Sequence, residues 1–183
     1  MLAPPNPPLA DEAVVLVPLD ERHLDGLESL GADPLVQRFT RVPASFDRGA
    51  AERWLRVYEQ GWRDGSRVGF AITARSDARF LGLAAFVALS LPGREAEIGY
   101  VVAGEERGRG IAARAVRLLT EWGLRQLGLV RIELRADVDN PASLRVAERC
   151  GYQREGTLRS VHVKDGRRAD MAVFARVAGS TPA

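Results

Sequence analysis

The chain has 183 residues, 46% hydrophobic and 27% charged, with a formal net charge of +2, which suits one ordinary globular domain and gives no basis for nucleic-acid binding through a massed positive field. One cysteine, Cys150, leaves no internal disulfide to form, and with two histidines in total a Cys/His metal site is not expected. No apolar run approaches the roughly 20 residues of a membrane span, so no membrane partner is expected.

The start, "MLAPPNPPLADEA", lacks a basic n-region and an apolar h-region, so it is not expected to act as a signal peptide. Residues 1–11 read as a flexible Pro-rich tail, 12–178 as one domain and 179–183 as a second tail, in a cytoplasmic protein. "AVVLVPL" (13–19) is a strand. A helix with Leu24, Leu27 and Leu30 on one face follows Asp20, and a short one begins at Asp33 and Pro34. Ala51, Trp54, Leu55, Tyr58 and Trp62 then recur at helical spacing, with Gly65 past the end. Residues 67–75 and 78–90 read as a hairpin, and "AEIGYVV" (96–102) as a further strand. A helix carries Ile111, Ala115, Leu118, Leu119 and Trp122 as one apolar stripe. Residues 130–138 alternate as a half-buried strand. A helix capped by Asn140 with Pro141 at its first position runs to Gly151, and two strands around the turn "KDG" close the chain. The order predicts an α/β (α+β) fold, a mixed central sheet of about seven strands with flanking helices and a βαβ unit in its middle.

The stretch "ERGRGIAARAVRLL" (106–119) opens its helix on two glycines between arginines. Glycine in regular structure costs roughly 0.5–1 kcal/mol relative to alanine. A helix N-terminus, however, offers unpartnered N–H groups and partial positive charge, and hydrogen bonds to an anion are worth about 1.5–3 kcal/mol each. A turn without side chains at this place therefore fits a phosphate. It is not a Walker A loop, because no Gly-Lys-Ser/Thr is present, nor Gly-x-Gly-x-x-Gly, because position 113 is alanine.

Arg107-Gly108-Arg109-Gly110-Ile111-Ala112 resembles the Arg/Gln-x-x-Gly-x-Gly/Ala signature of the GNAT N-acetyltransferases. "EIGY" before it and "NPAS…GY" after it extend the resemblance to the RimJ/RimL branch, whose named members acetylate the N-termini of ribosomal proteins. The resemblance spans residues 12–178 and implies a GNAT-like fold with acetyl-CoA as co-substrate. It implies that the turn holds the pyrophosphate, that Tyr100, Val101 and Val102 lie along the pantetheine arm with a backbone N–H near Val101 or Val102 facing the oxyanion, and that Asn140 and Ser143 border the same arm. Glu97 is the implied base, acting through water on the acceptor amine. The tyrosine that many members carry seven residues after the asparagine is here Ala147, so Ser143 is the candidate donor to the leaving sulfur. The acceptor is a protein N-terminal amine or a small amine such as a polyamine or antibiotic. A non-catalytic acyl-CoA-binding module is the alternative, and a homodimer is left open. His23 and His162 match no motif and receive no role.

Overall fold

The computed structural model describes residues 2–164 and 166–179; Asp165 of the expected "KDG" turn and residues 180–183 of the expected C-terminal tail lie outside the described residues. In chain order the elements are β1 (Leu9–Ala10), β2 (Val14–Pro18), α1 (Leu24–Ala32), α2 (Pro34–Phe39), α3 (Arg48–Asp64), β3 (Val68–Ala74), β4 (Phe80–Ser90), β5 (Glu95–Val102), α4 (Ile111–Arg125), β6 (Arg131–Asp137), α5 (Pro141–Arg149), β7 (Gln153–Lys164) and β8 (Arg167–Val177). The helices begin where their sequence signals lie. Asp33 accepts from the amides of Leu35 and Val36 ahead of Pro34, Asp47 accepts from Ala50, and Asn140 accepts from Ser143 ahead of Pro141.

One sheet runs β1-β2-β3-β4-β5-β6-β8-β7. Its neighbours are antiparallel except β5 and β6, the parallel pair joined through α4. The additional strand is β1, in the segment expected as a flexible tail. Leu9 pairs with Leu16, the Leu2 amide donates to the Trp62 carbonyl, and the Asp11 carboxylate accepts from Arg114 of α4. Leu2 and Leu9 also pack against the core, so apolar burial and ladder hydrogen bonds together hold this segment to the domain.

The sheet is covered on both faces. On one, Ile98, Val102, Ile132, Leu134 and Phe174 meet α4 and α5, with Trp122 stacked on Phe86 and edge-on to Phe70. On the other, Ala71, Leu83 and Ala85 meet α1 and α3 through Leu27, Leu55 and Tyr58. The feature that shapes the site is where the parallel pair stops. Glu95–Ile98 pair with Arg131–Leu134; beyond them β5 continues to Val102 beside β4, and β6 continues to Asp137 beside β8. The two strands part in mid-sheet, leaving backbone groups of Gly99–Val102 along one wall of a cleft.

Candidate active site

The glycine turn lies directly after β5. Gly108 and Gly110 have φ values of +76° and +79°, the left-handed region that costs other residues roughly 1–2 kcal/mol. Nothing lies within 4 Å of where a Cβ would stand on either, so the glycines serve backbone conformation and leave open space above the turn. Gly110 is the N-cap of α4, and no side chain caps that helix. Its first amides therefore face outward with the positive end of the helix dipole behind them, which is a fit for a bound phosphate.

The arginines of the turn are paired with carboxylates, Arg107 half-buried and Arg109 exposed. The Arg107 guanidinium donates to Asp33 at 2.8 Å and to the Val102 carbonyl at 3.2 Å. Arg109 donates to Glu106 at 2.6 Å, and Glu106 also accepts from Arg79. Only 3% of Glu106 is exposed, and the hydrogen bond from Arg79 is the main reason its carboxyl titrates below the usual range. Burial pushes the Asp33 carboxyl up, but the amides of Val36 and Leu35 together with Arg107 bring it below its ordinary value. What the turn offers an anion is thus chiefly its amides, with the two arginine side chains tied to Asp33 and Glu106.

Across the cleft, the Tyr100 hydroxyl of β5 and the Ser143 hydroxyl of α5 lie 2.8 Å apart. The Ser143 amide donates to the Asn140 side chain at 3.1 Å, so the cap of α5 fixes the position of Ser143. Burial pushes the Tyr100 phenol up to about 12, which keeps it a protonated donor throughout the physiological range. Ala147 is fully buried on α5, and no hydroxyl enters the cleft from that position. Tyr152 is core, its hydroxyl 2.7 Å from that of Thr120, and burial raises the Cys150 thiol to about 11. Cys150 is therefore a buried small group without thiolate character.

Glu97 stands elsewhere. Side chains alternate along β5; Tyr100 and Val102 pack with the α4–α5 cluster, whereas Val101, and with it Glu97, belongs to the α1–α3 face. There Glu97 Oε2 is 3.9 Å from Arg135 Nε, in a ladder in which Arg135 also donates to Glu133, and Arg131 donates to Glu133 and Glu155. The structure brings Tyr100, Asn140 and Ser143 together on one side of the parting strands and sets Glu97 on the other.

A family model described as an acetyltransferase (GNAT) domain matches residues 13–153. The chain belongs to the GNAT acetyltransferase family. The uncharacterized N-acetyltransferase p20 of Bacillus licheniformis is 26% identical over 166 residues, covering 91% of this chain and 93% of the relative. The fold is shared with a RimL ribosomal L7/L12 α-N-protein acetyltransferase solved with coenzyme A, at TM-score 0.85 and 22% identity, covering 93% of this chain and 96% of that one. It is shared also with the Vibrio cholerae spermidine N-acetyltransferase solved with CoA and spermine, at TM-score 0.80 and 20% identity, covering 91% and 96%. The GNAT chain described here is an acetyl-CoA-dependent N-acetyltransferase with a mixed α/β fold.

Three features of this GNAT chain escape a reading of the sequence. The Tyr100–Ser143 contact joins residues 43 apart and has no spacing signal. Glu106 is the acid three positions before Arg109, a spacing that could have suggested the brace. His162 is buried and gives no sequence signal. Among the described residues no group of His, Cys, Asp and Glu is arranged to hold a metal ion, and no helix is long and apolar enough to cross a membrane.

Proposed function

We propose that this N-acetyltransferase acetylates the N-terminal α-amine of a polypeptide, by direct attack on the thioester in a ternary complex. The observation that carries this reading is the charge ladder on the α1–α3 face. Glu97, Glu133 and Glu155 each lie beside arginine, so a polyamine would have to displace existing partners, whereas a peptide brings one cation and a chain of carbonyl groups. The fold is shared with both a ribosomal-protein N-terminal acetyltransferase and a spermidine acetyltransferase, so the charge ladder alone carries the choice of acceptor.

In this reading the amides of residues 107–112 hold the pyrophosphate of acetyl-CoA. The open edge of β5 at Tyr100–Val102 pairs with the pantetheine arm, bordered by Asn140, and a backbone N–H near Val101 or Val102 meets the oxyanion. An α-amine titrates near 7.7–8.0, so roughly a tenth is neutral at pH 7. Glu97 accepts a proton from it through water, while Ser143, backed by the Tyr100 hydroxyl, donates to the departing sulfur from the opposite face. Residues 12–178 form the catalytic domain, and the single, buried Cys150 suits a reducing cytoplasm. The test is thiol release from acetyl-CoA with a panel of N-terminal peptides, spermidine and aminoglycosides. Turnover confined to peptides is expected. Turnover confined to spermidine or an aminoglycoside would overturn the choice of acceptor, and tight acetyl-CoA binding without turnover on any acceptor would favour a binding module.

A further inference from the structure

Two cavities differ in what lines them. One, of about 370 Å³, lies around His162, between α2, the end of β6 and the β7–β8 hairpin. The other, of about 330 Å³, opens between α4, the end of α5 and β8, with Arg117, Glu121, Glu148, Arg149, Cys150 and Arg176 in its wall. The second is on the α4–α5 face of the sheet, since Arg176 shares a face of β8 with Phe174. Its inner wall is closed by Cys150, whose Sγ donates to the Ala113 carbonyl of α4 at 3.4 Å. Its volume is at the lower end of small-ligand sites.

The cations of this second cavity are held differently from those around the glycine turn. There, Arg79 and Arg109 share Glu106, Arg107 is bonded to Asp33, and Arg114 to Asp11 and Glu12. Here, among the described residues, none of Arg117, Arg149 and Arg176 pairs with a carboxylate. Arg117 donates to the Arg149 carbonyl at 3.0 Å and Arg176 to the Cys150 carbonyl at 3.3 Å, while the exposed Arg149 side chain has no partner. Glu121 is held by Arg125 at 2.8 Å, which leaves Glu148 as the unpaired acid of the wall. α5 ends at this point, and the carbonyls of a helix C-terminus repel an anion. Those of Arg149 and Cys150 are the ones that Arg117 and Arg176 cover. A guanidinium has five N–H donors, so two guanidiniums are anchored by one bond each and keep the rest of their donors for a ligand.

We propose that this cavity is an oxyanion site that takes a phosphomonoester. Guanidiniums entering from α4, α5 and β8 offer forked donors from three sides, which suits the terminal oxygens of a phosphate better than a planar carboxylate. The three cations exceed the unpaired Glu148 by two charges, close to the charge of a phosphomonoester at neutral pH. The cavity also has room for the organic group that carries the phosphate. Two sources have this chemistry. Arg117 follows Gly110 on α4 by about 10 Å of helix, so the ribose 3′-phosphate of an acetyl-CoA seated on the turn is one. A separate phosphorylated small molecule is the other. Neither depends on which amine is acetylated.

The probe is ribose 5-phosphate, titrated in a calorimeter into the protein saturated with dephospho-CoA, which has the pyrophosphate but lacks the 3′-phosphate. One equivalent is expected to bind, and to bind about 30-fold more weakly in Arg149→Gln and in Arg176→Gln. Arg149 has no partner to lose, so its substitution leaves the fold intact, and circular dichroism checks Arg176→Gln. With coenzyme A in place of dephospho-CoA, loss of ribose 5-phosphate binding assigns the cavity to the cofactor's own 3′-phosphate. Coenzyme A should then bind the wild-type protein about 30-fold more tightly than dephospho-CoA and lose that advantage in Arg149→Gln. Retained binding assigns the cavity to a separate phosphomonoester, and either result supports the site. If neither the affinity for ribose 5-phosphate nor the preference for coenzyme A over dephospho-CoA changes in the two variants, the cavity holds no oxyanion and the proposal falls, whatever the enzyme acetylates.

Discussion

The glycine turn at residues 107–112 and the cavity around His162 are built by different means. The turn works through main-chain amides held in place by two left-handed glycines, Gly108 and Gly110. The cavity is walled by side chains from three separate stretches of the chain, residues 38–39, 137–139 and 162–170. A ligand used unchanged by a whole family can be held by backbone, which leaves the surrounding side chains free to vary. An acceptor that differs from member to member has to be read by side chains. The two regions are also joined: Arg107 of the turn is bonded to Asp33, the cap of α2, and α2 carries Arg38 and Phe39 into the cavity wall.

The sharpest way to break this contrast is to give the turn side chains. Gly108→Val with Gly110→Val forces two residues out of a conformation they tolerate poorly and fills the space above the amides. Losing two charged hydrogen bonds at about 1.5–3 kcal/mol each should weaken acetyl-CoA binding by about 1000-fold in calorimetry. At the junction of the regions, Ser143→Ala should lower kcat by about 100-fold with acetyl-CoA affinity nearly unchanged, because a thiolate needs only moderate help to leave. Tyr100→Phe should lower it by about fivefold, the worth of one neutral hydrogen bond. A comparable fall in affinity in either variant would mean that the pair belongs to binding and not to proton transfer.

Alkaline titration isolates the core that supports both regions. Tyr58 and Tyr152 are buried and Tyr100 is half-buried; Tyr58 and Tyr100 are pushed up to about 12 from 10.0, and Tyr152 higher still, each mainly by loss of solvent around the phenol. Above pH 10 the unfolded chain loses tyrosine protons that the folded chain keeps. Stability is therefore fully present below pH 10 and falls between pH 10 and 12, by about 1.4 kcal/mol per pH unit for each tyrosine. Tyrosinate absorbance at 295 nm should accordingly rise together with unfolding followed by circular dichroism. A rise within the folded protein would show that the phenols are more accessible than their packing indicates. The smallest effect is expected at the link between the regions. The Asp33–Arg107 pair is partly exposed, so Asp33→Asn should cost about 1 kcal/mol or less in denaturant unfolding, with a modest change in KM for both substrates. A change in one KM alone would show that the two regions are uncoupled.

The sequence by itself determined most of the elements and marked the glycine turn as a candidate site. Strand alternation, helical stripes, the caps at Asp33, Asp47 and Asn140 and the glycine turn are local patterns, and a local pattern is enough where the backbone does the binding. What it could not supply was any arrangement created by bringing distant segments together. β1 forms because Leu2 and Leu9 find a core to cover. Tyr100 meets Ser143 because α5 packs over β5, and Arg107 and Arg109 are paired because Asp33 and the buried Glu106 are there to receive them. His162 shows the limit most plainly: in the chain it is one residue of an exposed edge strand, and only the closing of the hairpin onto α2 buries its imidazole and leaves Nε2 unpartnered. Burial and hydrogen-bond satisfaction are properties of the packed molecule, so a buried atom left unpartnered emerges only once packing has been decided.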